Sequence, residues 1–117
     1  MGDITRFDSG PRMSQAVAYG DTVYLAGQVA QTAGGESVEN QTKDILGRID
    51  KLLADAGSSK SKALSATIWL SDMDTFNEMN AVWDAWVDPA NPPARACVEA
   101  RLAAPQFTVE IAIVAAK

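Results

Sequence analysis

The chain has 117 residues, of which 47% are hydrophobic and 21% charged, a balance typical of one globular domain rather than a disordered segment. Its net charge of −5 argues against a nucleic-acid partner, because binding a phosphate backbone needs clustered cations. The chain contains no histidine, which excludes histidine-based nucleophilic catalysis and nearly every type of zinc site.

The features that the sequence lacks indicate where in the cell the protein is located. One cysteine excludes an intrachain disulfide and fits a reducing compartment. No apolar run approaches the roughly 18 residues that span a bilayer, and the N-terminus has no basic region followed by an apolar core. We therefore expect one cytoplasmic domain over residues 1–117, with no membrane or nucleic-acid partner. Neither glycine-rich phosphate-binding motif occurs, so we expect no nucleotide cofactor.

The first third of the chain predicts a β-hairpin. Residues 15–19 and 22–29 are rich in strand-forming side chains, and Gly20-Asp21 between them is typical of a tight turn. A short strand over residues 4–7 is a further candidate.

The middle of the chain predicts two helices separated by a strand. Apolar residues recur at helical spacing over residues 38–56, and Gly57 follows as a C-terminal stop. Residues 62–71 return to strand alternation. A second helix begins near Asp74, a plausible N-cap, and Pro89 ends it.

Two strands are predicted to finish the chain, over residues 94–102 and 108–116. The order β-β(-β)-α-β-α-β-β, with the candidate strand 4–7, predicts an α+β sandwich in which two helices cover one face of a mixed five- or six-stranded sheet. The other face would carry small apolar residues such as Ala112 and Val114. A symmetric oligomer that packs these faces together is the economical solution.

Period-two alternation indicates which side chains point to that second face. If the apolar members of the last two strands face the helices, then Arg95, Cys97 and Glu110 all face away from them. Burying such charges in an interface is costly unless they are paired or bind a ligand. An intersubunit salt bridge is the structural alternative to a ligand site.

Arg95 is the strongest candidate binding residue. Pro92-Pro93 exclude helix just before it, so its guanidinium stands at the rigid start of a strand and forms a two-pronged donor suited to a planar carboxylate. An ordinary edge-strand ion pair is the alternative. Cys97 has no histidine to activate it and fits a small buried hydrophobe. Asn80 falls between the apolar positions of the second helix, which leaves its amide for a neighbour or a ligand.

Five segments resemble the YjgF/RidA (Rid) family, and the resemblance extends over nearly all of the chain: residues 10–17, 23–28, 70–80, 93–99 and 109–111. The most specific are Pro-Ala-Arg-Ala-Cys-Val-Glu at 93–99 and Asp-x-Asp-x-Phe-x-x-Met-Asn at 72–80. The resemblance implies a chorismate-mutase-like fold and a homotrimer whose sheets face inward, with three clefts between adjacent subunits.

The resemblance also implies a cofactor-independent and metal-independent hydrolase. Its substrates would be reactive enamines and imines such as 2-aminoacrylate, small carboxylates that pyridoxal-phosphate enzymes release, and its products 2-oxo acids and ammonium. Arg95 resembles the arginine that binds the substrate carboxylate, and Glu110 resembles the carboxylate that orients the attacking water. Cys97 lies beside that site, and Gly27 and Asn80 match pocket positions.

The chain departs from the family pattern at three places. The usual Gly-Pro-Tyr-Ser-Gln is replaced by residues 10–15 with Arg12-Met13, so the pocket tyrosine is missing and one residue is added. Ala26 stands where serine is common, and Ala112 replaces a second glutamate. A non-catalytic trimeric binding module for small carboxylates therefore stays open. The endoribonuclease activity attributed to some relatives also stays open, although the acidic charge and absent histidine count against it.

Overall fold

The computed structural model describes residues 3–117 and shows a mixed seven-stranded sheet with two helices on one of its faces. The strands lie in the order β1-β2-β3-β7-β5-β6, and the short β4 also pairs with β7. Only the β5–β6 pair is parallel. In chain order the elements are β1 (Ile4–Phe7), β2 (Ala16–Tyr19), β3 (Thr22–Leu25), β4 (Gln28–Val29), α1 (Val38–Asp55), β5 (Ala63–Leu70), α2 (Phe76–Trp86), β6 (Ala94–Glu99) and β7 (Val109–Ala116).

This architecture confirms the predicted α+β class and the strand at residues 4–7. The predicted strand over residues 22–29 is instead two strands, since Tyr24 opposes Val114 while Gln28 opposes Ile111. The segment from Tyr24 to Gln28 is one residue longer than the opposing segment of β7. The extra residue forms a β-bulge, and Gly27 lies within it. The seventh strand of the sheet comes from this interruption.

The core lies between the sheet and α1. Ile45, Ile49 and Leu53 are fully buried along one stripe of α1 and face the equally buried Ile111 and Ile113 of β7. Burying each such side chain contributes about 1.5–3 kcal/mol. Ser37 caps α1 by accepting a hydrogen bond from the backbone N–H of Asn40. Within residues 3–117 neither helix combines the length and apolarity needed to cross a bilayer.

The start of α2 differs from the prediction that Asp74 caps it. Asp72 instead caps the 3₁₀ turn that precedes α2, and its carboxylate accepts a hydrogen bond from the backbone N–H of Asp74 at 2.9 Å, whereas Thr75, the N-cap of α2, makes no side-chain capping bond. One 3₁₀ turn, Met73–Thr75, then leads into α2. The helix ends at Trp86, because Val87 is already extended two residues ahead of Pro89.

The sheet face opposite the helices is exposed in the single chain, and we call it the uncovered face. Tyr24 and Val98 are 48% and 46% exposed there. Pairing places Val114 beside Tyr24, and Trp69 between Glu110 and Val98. Small apolar and aromatic side chains therefore surround the one carboxylate that β7 places on this face, as the alternation of β7 predicted.

Candidate functional site

Two of the three side chains expected on the uncovered face lie on the other side of the sheet. Arg95 opposes Ala66 and Cys97 opposes Ile68, and these β5 residues are buried on the helix side. Cys97 packs partly buried against the hydrophobic core, whereas Val98 is exposed. The predicted orientation of β6 is therefore wrong, because its apolar-looking alanines and Val98 face outward. Only Glu110 lies on the predicted face.

Arg95 is held by side chains of α2. Its Nη1 donates a hydrogen bond to Asn80 Oδ1 at 2.7 Å. The guanidinium carbon lies 5.3 Å from the ring centre of Trp83 and 5.8 Å from that of Phe76, within the range of cation–π attraction. The residue as a whole stays exposed. One edge of the guanidinium is thus fixed by the protein while the remaining N–H groups are left for a ligand.

The aromatic support of Arg95 is itself anchored. Trp83 is only 5% exposed, and its ring lies 5.2 Å from that of Trp86. The Trp86 indole N–H donates to the Asp50 carboxylate on α1, with both oxygens at 3.1 Å. Sequence reasoning missed the role of Trp83 as a support. The signal was present, since Asn80 and Trp83 are three residues apart and therefore share one helix face.

Cys97 is placed to pack rather than to react. Burial raises the pKa of its thiol, and the nearby Arg95 charge lowers it by less. A thiol with a raised pKa is neutral at pH 7 and a poor nucleophile. The structure therefore places Cys97 beside Arg95 on the same strand face without activating it.

Glu110 and Gly27 form a second cluster on the uncovered face. The Glu110 side chain lies over Gly27 so closely that a Cβ added to Gly27 would fall 2.9 Å from Glu110 Cδ and nearer still to Oε2. A side chain at position 27 would therefore force the Glu110 carboxylate to move. Within residues 3–117 no protein group donates a hydrogen bond to the side-chain carboxylate of Glu110, and partial burial raises the pKa of this group. This carboxylate is available to hold a water molecule.

The two clusters are separate within one chain. Trp69 pairs with both Glu110 and Val98, which puts those residues two strand spacings apart, about 10 Å. Arg95 lies three residues earlier along β6, roughly another 10 Å. The Cα atoms of Arg95 and Glu110 are then about 14 Å apart, with side chains on opposite faces. We call Arg95 with Asn80 and Trp83 the arginine half-site, and Glu110 with Gly27 the glutamate half-site.

The residues that depart from the family pattern also have defined positions. Arg12 and Met13 lie on the loop between β1 and β2, both exposed, with Met13 at 46%. Ala26 lies in the bulge directly before Gly27. Ala112 follows Glu110 on the uncovered face, where it opposes Thr67. Two of these four positions, Ala26 and Ala112, therefore border the sheet region that carries Gly27 and Glu110.

Comparison with known proteins gives consistent matches over the whole chain. A family model described as Endoribonuclease L-PSP matches residues 4–117. A RutC family protein of Haemophilus influenzae is 46% identical over 112 residues, which is 96% of this chain and 97% of the relative. The RutC family protein YoaB of Escherichia coli is 42% identical over 113 residues, or 97% of each chain.

Solved structures agree with these sequence matches. A member of the YjgF protein family from Neisseria meningitidis is 50% identical, superposes with a TM-score of 0.95, and covers 98% of this chain and 95% of its own. A Mycobacterium tuberculosis member of the YjgF/YER057c/UK114 family is 27% identical with a TM-score of 0.87, and covers 98% of this chain and 100% of its own. With the family model matching nearly the full length, this chain belongs to the YjgF/RutC family, also described as Endoribonuclease L-PSP.

Proposed function

We propose that this protein hydrolyses small 2-imino and 2-enamino acids to 2-oxo acids and ammonium, at clefts between adjacent subunits of a homotrimer. In each cleft the arginine half-site of one subunit faces the glutamate half-site of the next. The observation that carries the proposal is the separation of the two half-sites. Each one leaves a charged group unsatisfied toward solvent, and one chain cannot bring both to a single small ligand.

The uncovered face supports the assembly. Tyr24 and Val98 are about half exposed, and Ala112 and Val114 lie between their strands. An apolar patch of this kind is uncommon on a monomer and is typical of an interface. Packing this face against another copy would also bring Glu110 next to a neighbouring subunit. Assembly and site formation would then be the same event.

The chemical step needs few groups. Arg95 binds the substrate carboxylate through paired charged hydrogen bonds, which fixes the C=N carbon. Glu110 accepts a proton from water as the water oxygen attacks that carbon and the C=N π electrons move to nitrogen. Glu110 returns this proton to the nitrogen of the carbinolamine and takes the hydroxyl proton as the C=O bond of the 2-oxo acid forms and the C–N bond breaks, and the ammonia that leaves takes that proton to become ammonium. The sum is protonated imine plus water giving 2-oxo acid plus ammonium, with no oxidant or reductant.

The few catalytic groups of the proposed site are sufficient for this reaction. Imines already hydrolyse in water, so the enzyme contributes mainly by positioning water and substrate. A carboxylate with a raised pKa is a better proton acceptor than an ordinary glutamate, provided that it is ionised. Asn80 and Trp83 contribute by holding Arg95 in one orientation.

A sensor that binds small carboxylates without turnover is the second candidate, and the exposed Arg12-Met13 in place of the pocket tyrosine favours it. An assay separates the two. An amino-acid oxidase releases 2-imino acids from a panel of amino acids, and their decay is followed with and without this protein. We expect faster decay with wild type and spontaneous decay with Glu110→Gln, while Glu39→Gln, an exposed change on α1, behaves as wild type. If wild type sediments as a trimer and no imine decays faster, the proposal fails and the sensor remains.

A further inference from the structure

Trp86 lies at the last residue of α2, where the helix itself restrains a side chain least. The helix ends there, and Val87 is already extended. Helix ends fray more easily than helix interiors, because part of their backbone has no partner within the helix. The Trp86 ring is nevertheless half-buried, and two other elements hold it. Contacts from outside α2 therefore fix its position.

The first of these contacts comes from α1 and the second from the 3₁₀ turn before β5. The Trp86 indole N–H donates to the Asp50 carboxylate, with both oxygens at 3.1 Å. Within residues 3–117 this indole is the one hydrogen-bond donor to that carboxylate, although Asp50 is otherwise exposed. The Lys60 ammonium lies 5.4 Å from the centre of the Trp86 ring, within cation–π range. Asp50 is thus the group that bonds the indole in a defined direction.

Trp86 in turn contacts the ring that supports Arg95. Trp83 and Trp86 are three residues apart and share one face of α2. Their ring centres are 5.2 Å apart and their planes are inclined by 50°, a usual geometry for an aromatic pair. The Arg95 guanidinium carbon lies 5.3 Å from the centre of the Trp83 ring. An unbroken series of contacts therefore runs from the α1 carboxylate to the guanidinium.

We propose that Asp50 is a positioning residue for the arginine half-site. It fixes Trp86, which in turn fixes the orientation of the Trp83 ring. Cation–π attraction depends on the face that the ring presents, so this orientation restrains the Arg95 guanidinium. Where it concerns substrate binding, the inference rests on the proposed imine hydrolysis. The restraint of Arg95 does not depend on that function.

A purely structural role for the same hydrogen bond makes a different prediction. The bond between Asp50 and Trp86 joins α1 to α2, so its loss should lower the free energy of unfolding in either role. A stability measurement therefore does not distinguish them. The mobility of the Arg95 side chain does, because two aromatic rings separate it from the substituted carboxylate.

Nuclear magnetic resonance of the Arg95 Nε–H group, in the full chain without ligand, measures this mobility. The signal is identified by its absence in Arg95→Lys. In wild type we expect a high order parameter and a chemical shift displaced by the ring current of Trp83. Asp50→Ala should reduce both. Trp86→Phe, which keeps an aromatic ring without the N–H, should do the same.

Two variants of α1 are the controls. Asp50→Asn keeps a side-chain oxygen that accepts a hydrogen bond from the indole, so it should retain most of the order and of the displaced shift. Asp55→Ala removes a carboxylate of the same helix that is bonded to Lys51 instead. It should leave the Arg95 signal unchanged.

Imine hydrolysis gives the second readout. A less restrained Arg95 must be ordered when the substrate carboxylate binds, so KM should rise at least about threefold in Asp50→Ala, with a smaller change in kcat. In an Arg95→Ala background, adding Asp50→Ala should change kcat/KM by less than about twofold, because no guanidinium remains to be positioned.

The two readouts separate this inference from the proposed function. If wild type hydrolyses no imine, the proposed function fails and the Arg95 signal alone decides the role of Asp50. That role is excluded if the Arg95 Nε–H is already disordered in wild type, or if it keeps its order and shift in Asp50→Ala. It is also excluded if Asp55→Ala has the same effect, or if Asp50→Ala lowers kcat/KM as much without Arg95 as with it.

Discussion

At the scale of single residues, the Arg95 side chain is exposed to solvent and yet held in one conformation. An exposed arginine ordinarily samples many rotamers, and fixing it costs conformational entropy when a ligand binds. Here Asn80 and the rings of Phe76 and Trp83 impose that restraint before any ligand arrives. Preorganised donors of this kind are the usual source of transition-state stabilisation in enzymes.

Replacing Arg95 should therefore separate a ligand role from a packing role. Arg95→Ala should lower kcat/KM for imine hydrolysis at least about a hundredfold, because it removes charged hydrogen bonds worth about 1.5–3 kcal/mol each. Arg95→Lys should recover only part of this, since lysine lacks the fork geometry. Sedimentation of the same variants should still show trimers. Weakened assembly, with turnover falling only as trimer is lost, would instead indicate a salt-bridge residue.

Because of Glu110, enzymatic activity and the free energy of unfolding should change in opposite directions as pH changes. Burial raises its pKa above the ordinary 4.5, so the folded state binds a proton more readily than the unfolded state does. The stability that it contributes is complete below the unfolded pKa and is lost as pH rises through the folded pKa. The proposed hydrolysis requires the ionised carboxylate, so activity should fall as pH drops through that same folded pKa. Measuring kcat/KM and the free energy of unfolding in urea over the same pH series will show whether one rises while the other falls.

The Glu110→Gln variant is the control for this experiment. Glutamine does not titrate, so the variant should lose the pH-dependent stability change and be at least as stable as wild type at neutral pH. It should have no hydrolytic activity above the spontaneous rate. A variant that is both active and less stable would mean that Glu110 serves packing alone.

The Cys97 thiol should be dispensable for hydrolysis. Its pKa is raised by burial, so no thiolate is present at neutral pH to attack a substrate. We expect Cys97→Ser to keep most of the wild-type kcat/KM. A loss of a hundredfold or more, about 2.7 kcal/mol of transition-state stabilisation, would show that the thiol takes part in the reaction.

At the scale of elements, periodicity predicted β7 well and β6 badly. Along β7 the buried Val109, Ile111 and Ile113 alternate with less buried residues, so polarity alone identifies the two faces. Along β6 one face holds alanines and Val98, and the other holds Arg95 and Cys97. Because the alanines and Val98 are the more apolar set, the pattern wrongly predicts that they face the helices. The helix side of β6 accepts an arginine because its guanidinium stacks on aromatic rings, a tertiary contact that no strand pattern contains.

Helix α1 holds a glycine that the fold does not require. Gly47 is exposed, lies within the helix, and has open space where a Cβ would be. Gly47→Ala should raise the free energy of unfolding by about 0.5–1 kcal/mol, because alanine has less backbone entropy to lose. Urea unfolding at one fixed protein concentration measures this, which matters if subunit association contributes to stability.

Gly57 provides the opposite control, at the end of the same helix. Its φ of 82° lies in the left-handed region that disfavours side chains. Gly57→Ala should lower the free energy of unfolding by about 1–2 kcal/mol. If Gly47→Ala also destabilises the protein, the space beside it is filled by something other than solvent.

At the scale of the whole molecule, the sequence predicts the parts of the candidate site better than their arrangement. Resemblance to the family pointed to Arg95, Asn80, Glu110 and Gly27, but one strand pattern placed Arg95 and Glu110 together on one face. The structure separates them by two strand spacings and by the thickness of the sheet. Side chains that meet only across a subunit boundary, as we propose for these two, leave no spacing signal within one chain.

The separation of the two half-sites has a consequence for mixed assemblies. If each cleft takes Arg95 from one subunit and Glu110 from the next, Arg95→Ala and Glu110→Gln homotrimers are both inactive. Every trimer that contains both kinds of subunit still holds one cleft with both residues intact. Unfolding and refolding the two variants together should therefore restore activity that neither has alone, and a chain carrying both substitutions should restore none when mixed with either. Complementation between defective alleles is thus expected in cells that express both, and its absence in refolded mixed trimers would place the whole site within one chain.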